Sequence, residues 1–276
     1  MPELPEVETV VRRLRPLLVG AKLKSSKYHD AKLRTAPLEK FVGTVTAVRR
    51  SGKNILVDFN SGSSISFHLR MTGNLLWEKR SSKNGSTQVG GAILNHSDEK
   101  HLRCRLNFDR GELRFVDIRR FGTVELIREP KAPGALPIDP IEDPLDADIL
   151  AKLIGSSRQQ IKVWLLRQDR LVGIGNIYAS EILFSAKISP FRAANSLEAP
   201  ERKRLVKSTL AVLQNAIQRC GTTFSDFHDP DGASGSFQNF LKVYDREDKS
   251  CRSCRTSVAR AVQAQRSTYY CPKCQD

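Results

Sequence analysis

Four cysteines near the end of the chain constrain its fold more than any other feature. They follow the pattern Cys251-x2-Cys254-x16-Cys271-x2-Cys274, in which two short knuckles are separated by enough chain for a β-hairpin. Four thiolates at this spacing can converge tetrahedrally on one ion, and zinc is the metal that such sites usually hold. Iron or a redox-active dithiol pair is the alternative. Because protein ligands fill all four positions, a zinc ion here would be structural and not catalytic.

The remaining sequence offers no sign of secretion or membrane insertion. Cys104 and Cys220 stand alone, and a disulfide framework would be unusual in a cytosolic chain of this size. The N-terminus lacks the apolar core of a signal peptide, and no run of roughly 18 apolar residues occurs. We therefore expect a cytoplasmic protein.

The charge balance points to a polyanionic partner. The chain has 45 Lys plus Arg against 30 Asp plus Glu, a formal net charge of +15. In a folded chain, such an excess most often accompanies nucleic-acid binding. A solvated basic surface, or a ribosomal or membrane-surface protein, would show the same bias.

Hydrophobic periodicity changes along the chain and predicts an α+β fold. Apolar residues recur at helical spacing from Pro5 to Gly20, and then alternate in short runs over residues 22–128, as in a β-sandwich or flattened barrel. A proline-rich linker follows at 129–144, and helical patterns cover 145–154, 160–166, 176–186 and 199–219. Residues 79–91 and 222–240 are predicted loops. The predicted domains are a β-sandwich with a flanking N-terminal helix (1–132), a helical domain (133–240) and a zinc-finger hairpin (241–276).

The first residues carry a potential nucleophile. Removal of Met1 would leave the ring nitrogen of Pro2 as a secondary amine, and an α-amino group is partly unprotonated at neutral pH. Such an amine condenses with an aldehyde to a cationic iminium, which draws electrons from neighbouring bonds. Glu3 and Glu6 stand beside it as a candidate proton donor and an orienting carboxylate. The alternative is a frayed and inert terminus.

The segment Pro-Glu-Leu-Pro-Glu-Val-Glu at the N-terminus resembles that of the bacterial formamidopyrimidine-DNA glycosylases, and further matches extend along nearly the whole chain. The resemblance implies a bifunctional DNA glycosylase and AP lyase of base excision repair, which removes oxidised purines such as 8-oxoguanine and formamidopyrimidines. Pro2 would form a Schiff base with the sugar, Glu3 would assist with a proton, and β,δ-elimination would follow. A monomer working on damaged double-stranded DNA at the nucleoid, with one structural zinc ion, is implied as well.

Four cations and amides match family positions that contact DNA phosphates. Lys53 starts a strand and would lie near the lesion phosphate and sugar, although such a lysine is usually solvated surface. Arg266, on the zinc-finger segment, would contact phosphates at the lesion, and without the resemblance it is one exposed arginine among several. Lys162 and Asn176 would grip the backbone from a helix-two-turn-helix, whose Gly173–Gly175 segment could equally be an ordinary tight turn.

Four further residues match family positions that contact DNA. By resemblance, Met71, Arg119 and Phe121 would fill the gap left by an extruded base, as side-chain wedges do in kinked duplexes. Strand-end charges around a core phenylalanine are the alternative for Arg119 and Phe121. His101 matches a DNA-contacting histidine and could equally be an exposed strand-edge residue.

The chain departs from the family pattern at three places. Arg70 and Asp245 stand where glycine is expected, and Arg167 stands where many members carry an acidic residue. Two other functions stay open: an endonuclease VIII-like glycosylase for oxidised pyrimidines, and a zinc-ribbon DNA-binding protein without catalysis.

Overall fold

The structure is a computed structural model that describes residues 1–33, 38–79, 87–88, 99–128, 137–222 and 235–275. The chain forms two compact units, Met1–Ala132 with Cys220–Ser236, and Pro133–Arg219 with Phe237–Asp276. The three-domain division proposed from the sequence remains a prediction. Within the described residues, no helix combines the length and apolar character needed to cross a lipid bilayer.

The first unit consists of one helix and an antiparallel sheet. Helix α1 (Leu4–Leu18) is followed by strands β1 (Lys22–Tyr28), β2 (Gly43–Ser51), β3 (Asn54–Phe59), β4 (Ser64–His68), β5 (Gly73–Lys79), β6 (Thr87–Gln88), β7 (Leu102–Phe108), β8 (Gly111–Asp117) and β9 (Thr123–Ile127). Among the described residues, the strands pair in the order β6-β5-β8-β7-β1-β2-β3-β4-β9. Short 3-10 helices at Ala31–Leu33 and Leu38–Lys40 connect β1 to β2.

The two ends of this sheet pack face to face, which gives the predicted sandwich. The link between them is short, because β1 pairs with β2 through only Lys22↔Thr44 and Leu23↔Gly43. Phe67 on β4 and Phe115 on β8 lie on strands that are not sheet neighbours, yet their ring centroids are 6.0 Å apart. Both rings belong to one buried core.

Helix α1 covers this core with a continuous apolar face. The buried residues Val7, Val10, Val11, Leu14 and Leu18 recur at helical spacing and join the same cluster as the strand residues. Each such side chain contributes about 1.5–3 kcal/mol when it leaves water. Burial of this face fixes the position of the helix, and with it the first residues of the chain.

The second unit is helical and ends in a hairpin. Its helices are α2 (Ala147–Ile154), α3 (Ile161–Leu165), α4 (Asn176–Ala186) and α5 (Ala199–Gln218), with 3-10 turns at Ala194–Ser196 and Phe237–Phe240. The strands β10 (Ala259–Gln263) and β11 (Arg266–Tyr270) pair antiparallel. Asp146 caps α2 by accepting the backbone N–H groups of Asp148 and Ile149.

The sequence-based prediction of an α+β fold is confirmed in its main elements. The predicted 79–91 loop contains the two-residue strand β6, and the rest of it beyond Lys79 lies outside the described residues. Residues 129–136 of the predicted linker and 223–234 of the predicted 222–240 loop also lie outside them.

Candidate active site

The N-terminal end of α1 is held by a reciprocal pair of side-chain caps. Glu3 is the N-cap residue, and its side chain accepts the backbone N–H of Glu6, while Glu6 Oε2 accepts the Glu3 N–H at 2.9 Å. Pro2 directly precedes this cap and is buried, whereas Met1 is 39% exposed. Residues 2–6 are therefore fixed in place, contrary to the alternative of a frayed terminus.

The second oxygen of the Glu6 carboxylate binds a distant part of the chain. Glu6 Oε1 accepts the backbone N–H of Thr222 at 2.7 Å and its hydroxyl at 3.0 Å. Gly221 makes this approach possible, because its φ is +73° and a Cβ there would lie 2.6 Å from Glu6 Oε1. One buried carboxylate thus joins the start of α1 to the chain that follows α5.

Lys53 lies at the tip of the β2–β3 hairpin and is nevertheless buried. Ser51 pairs with Asn54, so Gly52 and Lys53 form the two-residue turn, and Lys53 is only 8% exposed. This burial contradicts the alternative of a solvated surface lysine. An ordinary hairpin tip points into water, so a buried lysine here requires a specific surrounding structure.

A buried ion pair braces that hairpin against α1. Arg50 Nε lies 3.1 Å from Glu8 Oε2, with the Arg50 side chain fully buried and that of Glu8 7% exposed. Arg50 Nη1 also donates to the carbonyl of Gly52 at 3.3 Å, directly before Lys53. The pair therefore ties the turn that carries Lys53 to the helix whose first residues are Pro2 and Glu3.

His68, at the end of β4, lies within the electrostatic influence of Lys53. Burial lowers the pKa of His68 to about 4, and the charges of Arg70 and Lys53 act in the same direction. Its Nδ1 accepts the backbone N–H of Arg70 at 3.1 Å. The imidazole is therefore neutral at physiological pH, and it adds no positive charge beside Lys53.

Met71, Arg119 and Phe121 lie on two neighbouring loops and are all exposed. Met71 is 41% exposed and Phe121 is 53% exposed. The guanidinium carbon of Arg119 lies 4.9 Å from the centroid of the Phe121 ring. Phe121 is thus not a core residue, which removes the structural alternative for this segment.

The buried carboxylate of Asp117 holds the two loops together. Its Oδ1 accepts the Thr72 hydroxyl at 2.5 Å and the Arg119 N–H at 3.2 Å, and its Oδ2 accepts the Gly122 N–H at 2.7 Å. The Thr72 hydroxyl oxygen in turn accepts the Arg119 N–H at 3.0 Å. A Cβ on Gly122 would lie 2.4 Å from the Phe115 ring, so the loop that carries Arg119 and Phe121 packs directly against the core.

His101 borders the same loops. Its carbonyl accepts the Asp117 N–H at 3.0 Å, and its ring Nδ1 lies 3.5 Å from Arg103 Nη2.

Arg120 makes a two-pronged bond to Asp30, with both N···O distances at 2.6 Å. That hydrogen-bonded pair holds the pKa of Asp30 at about 2, well below its ordinary value. Arg120 is therefore anchored, while its neighbour Arg119 remains exposed.

In the second unit, Lys162 and Asn176 meet at one backbone carbonyl. Lys162 Nζ lies 2.6 Å from Asn176 Oδ1 and 3.4 Å from the Ser267 carbonyl, and Asn176 Nδ2 donates to the same carbonyl at 2.9 Å. Lys162 is fully buried, whereas Asn176 is half-buried. Gly175 is the N-cap of α4, so Asn176 is the first helical residue and not the cap.

The connection between α3 and α4 is organised by Gln168. Its amide nitrogen donates to the carbonyls of Leu166 and Ile174 at 2.9 and 3.0 Å, and its oxygen accepts the Gly173 N–H at 3.0 Å. These bonds satisfy the loop's own backbone groups with one side chain. They fix the two turns that separate the helices.

The three departures from the family pattern differ in their structural setting. Arg167 forms a two-pronged pair with Asp169, at 2.8 and 2.5 Å, so its added charge is balanced locally and lowers the pKa of Asp169 to about 2. Arg70 and Asp245 have φ values of 53° and 55°. Both therefore occupy left-handed positions, which glycine adopts without steric cost.

The four cysteines form the structural zinc site. Their sulfur atoms all lie within 4.8 Å of one another, with Cys254 and Cys271 at 3.4 Å and Cys251 and Cys274 at 4.0 Å. Tetrahedral Zn–S bonds require sulfur atoms about 3.8 Å apart, so the cluster fits one zinc ion with no open position.

The hairpin between the two knuckles presents Arg266. Ala264 and Gln265 have φ values of 46° and 60° and form a two-residue turn, after which Arg266 begins β11. Arg266 is exposed, and its side chain makes no hydrogen bond or ion pair with another described residue. Gln263 anchors the turn by donating to Gln160 Oε1 at 2.7 Å and to the Pro190 carbonyl at 3.1 Å.

Several supporting residues were missed by the sequence analysis. Glu181 is buried in α4 and accepts the backbone N–H groups of residues 242–244 at 2.8–2.9 Å, and burial raises its pKa. In the first unit, Glu8 pairs with the buried Arg50, Asp117 accepts backbone N–H groups, and Thr222 donates to Glu6. The available signal was a charged residue at a position that the apolar period assigns to the core, as for Glu8 and Glu181.

Comparisons with known proteins agree with this arrangement. Residues 1–124 match the formamidopyrimidine-DNA glycosylase N-terminal domain, 136–228 match the corresponding H2TH domain, and 248–276 match the zinc finger found in FPG and IleRS. The chain is 38% identical over 290 residues to the formamidopyrimidine-DNA glycosylase of Desulforamulus reducens, covering 100% of this chain and 99% of that protein. It is 35% identical over 287 residues to that of Pelotomaculum thermopropionicum, with the same coverage.

Solved structures give the same result. The Fpg (MutM) protein of Thermus thermophilus superposes with a TM-score of 0.84 at 35% identity, covering 99% of this chain and 98% of that one. Lactococcus lactis Fpg in complex with DNA containing N7-benzyl-Fapy-dG gives a TM-score of 0.85 at 30% identity, with 100% coverage of both chains. The resemblance found in the sequence is confirmed, and the chain belongs to the formamidopyrimidine-DNA glycosylase family.

Proposed function

We propose that this chain is a bifunctional enzyme that excises oxidised purines from damaged duplex DNA and then cleaves the abasic strand. The observation that carries the proposal is the fixed N-terminus, where Pro2 precedes a helix end held through Glu6 by bonds to Glu3 and Thr222. A nucleophile must be correctly oriented as well as reactive, and a buried, capped helix end fixes its orientation.

The first step would be attack by the Pro2 nitrogen, freed by removal of Met1. Its lone pair forms a bond to C1′ of the lesion nucleotide, the bond from C1′ to the base breaks, and the base leaves with the electron pair and a proton supplied with the help of Glu3. The lesion nucleotide would be rotated out of the helix for this contact.

Strand cleavage would follow once the sugar ring opens: the Pro2 nitrogen loses its proton, the C1′–O4′ bond breaks as O4′ takes up a proton, and the nitrogen lone pair forms a C1′=N iminium. Its positive charge acidifies the C2′ proton, so β-elimination breaks the C3′–O bond, and δ-elimination then breaks the C5′–O bond. The products would be a gap of one nucleotide and the released sugar remnant. No redox cofactor is required by these steps, since displacement and elimination conserve the oxidation state.

The other residues would hold the DNA. Lys53 would assist near the sugar and lesion phosphate, and Arg266 would contact phosphates from its exposed position at the start of β11. Glu6 would support the catalytic residues. Met71, Arg119 and Phe121 would fill the space left by the base, with His101 beside them.

Asn176 would bind the phosphate backbone from the start of α4. Lys162, which is buried, would support that role by holding the Asn176 side chain through its bond to Oδ1. We propose that the protein works as a monomer.

An oxidised pyrimidine is the second candidate substrate. Lactococcus lactis Fpg, 29% identical to this chain, has been crystallised with DNA containing an oxidised pyrimidine. Excision rates measured side by side on duplexes with 8-oxoguanine and with thymine glycol would separate the two. A strong preference for thymine glycol would contradict the purine assignment.

The mechanism is tested by borohydride trapping on abasic DNA, after mass spectrometry has confirmed that Met1 is absent. We expect a covalent adduct with the wild type and none with Pro2→Gly or with a protein that retains Met1 behind an uncleaved tag. Failure of the wild type to form an adduct would instead support a zinc-ribbon protein that only binds DNA.

A further inference from the structure

Ile118 is an exposed apolar residue in the middle of the loop that carries Arg119 and Phe121. It is 57% exposed, more than Met71 at 41% or Phe121 at 53%. The family resemblance assigns a role to those two residues and none to Ile118. An exposed isoleucine by itself is ordinary, so its surroundings must decide whether it has a function.

The backbone on both sides of Ile118 is fixed. The Asp117 N–H donates to the His101 carbonyl at 3.0 Å, and the Arg119 N–H donates to the Thr72 hydroxyl oxygen at 3.0 Å. Isoleucine is also branched at Cβ, which restricts its χ1 rotation. A contact made by this side chain would therefore cost little conformational entropy.

The loop lies close to the one that carries Met71. Thr72, the next residue after Met71, bonds to both neighbours of Ile118, namely Asp117 and Arg119. Arg70 and Arg119 are exposed on the same two loops, so positive charge borders the apolar residues. This combination fits a duplex, because phosphates can pair with the rim while apolar groups meet a base step from the minor groove.

We propose that Ile118 is a further DNA-contacting residue, which packs against the minor-groove edge of the kinked base step beside Met71 and Phe121. The inference rests on the proposed function, since it assumes that Met71 and Phe121 enter the duplex at the lesion. Ile118 makes no bond to the reacting atoms. It contributes to holding the kinked duplex and not to the chemical steps.

The test compares Ile118→Ser with Val42→Ser. Val42 is a matched control, because it is a β-branched residue of the same unit and is 60% exposed. It precedes the first residue of β2, whereas the two loops adjoin His68 and Thr123, which pair near the other end of β2 and β3. Binding is measured on a duplex with a tetrahydrofuran abasic analogue, which cannot react. We expect Ile118→Ser to weaken binding about tenfold, equivalent to about 1.4 kcal/mol, and Val42→Ser to leave it unchanged.

Three further measurements distinguish a duplex contact from a loss of folding or a general loss of DNA binding. Ile118→Leu, which keeps the apolar volume, should restore most of the affinity, and the thermal midpoints of all variants should match the wild type. On the corresponding single strand, which has no base step to open, Ile118→Ser should lose less affinity than it loses on the duplex.

Equal affinities of Ile118→Ser and Val42→Ser would overturn the inference. So would a loss of affinity in Ile118→Ser on the single strand equal to that on the duplex, since a minor-groove contact needs the duplex. Failure of the proposed function is recognised separately, because it appears as absent borohydride trapping by the wild type and does not affect the binding comparison.

Discussion

The two ends of the chain both have rigid supports, but the supports differ in kind. Arg266 is presented by a hairpin held between four cysteines that all lie within residues 251–274. Pro2 and Glu3 are held by buried polar side chains, in pairs such as Glu6 with Thr222, which are 216 positions apart. A metal site built from one short segment can be read from spacing, whereas a site built from distant partners requires the whole fold.

The two kinds of support also predict different responses to mutation at the two ends of the chain. Removal of one zinc ligand should abolish the order of a small module whose folding depends on the metal. Removal of one buried carboxylate should weaken a large core by a finite amount and leave the remainder folded. The following experiments test that contrast, from the largest expected effect to the smallest.

Replacing a zinc ligand should have the largest effect. Cys271 is fully buried, and Cys271→Ser should reduce bound zinc and weaken duplex binding by at least about a hundredfold, because structural zinc supplies roughly 10 kcal/mol to modules of this type. Elemental analysis and a binding titration would measure both. Cys220→Ser is the control, since Cys220 is outside the cluster, and full zinc content in Cys271→Ser would contradict the assignment.

Breaking the buried ion pair of the first unit should have a smaller but clear effect. Glu8→Gln removes the carboxylate that faces the fully buried Arg50 side chain, and should lower the free energy of unfolding by about 3 kcal/mol. Urea denaturation would measure the change. Glu99→Gln removes a 53% exposed partner of Arg105 and should cost less than about 1 kcal/mol; equal effects would show that the Glu8 pair has no special role.

Thr72→Val should separate the two loops that carry Met71 and Phe121. The hydroxyl bonds to Asp117 and Arg119 are lost while side-chain shape is kept, and a buried hydrogen bond of this kind is worth about 1–2 kcal/mol. We expect about tenfold slower single-turnover excision from a lesion duplex. Thr72→Ser should restore the rate, and failure of that rescue would mean that the loops are not coupled through the hydroxyl.

The smallest effect should come from restoring glycine at the two left-handed positions. Arg70→Gly in the first unit and Asp245→Gly in the second each relieve strain of about 1–2 kcal/mol, offset by the greater flexibility of glycine in the unfolded chain. A net gain of roughly 0.5 kcal/mol is expected from thermal unfolding. A clear loss of stability in either variant would indicate that the side chain makes a compensating contact.

Local patterns predicted the fold well, and failed where pairing is irregular. Helix α4 begins and ends where the apolar pattern placed it, at Asn176 and Ala186. The sequence marks strand β1 less clearly, because the register shift between Leu23 and Ser25 interrupts its alternation.

The candidate site could likewise be predicted from the sequence only in part. Cysteine spacing predicted the zinc site without any knowledge of the fold. The burial of Lys53 at a hairpin tip and the placement of Thr72 under Asp117 depend on contacts between strands that are far apart in sequence, and no local pattern encodes them. Residue types could be matched to a family, but their supports became visible only in three dimensions.

The double attachment of Glu6 has a consequence for the interpretation of mutants. The same carboxylate secures the cap that follows Pro2 and the root of the segment that begins after Thr222. A kinetic defect in Glu6→Gln would therefore combine displacement of Pro2, the proposed nucleophile, with displacement of Thr222. Thr222→Val removes the hydroxyl bond and leaves both the cap and the backbone bond from Thr222 to Glu6 intact, so it measures the share of the second attachment that the hydroxyl contributes.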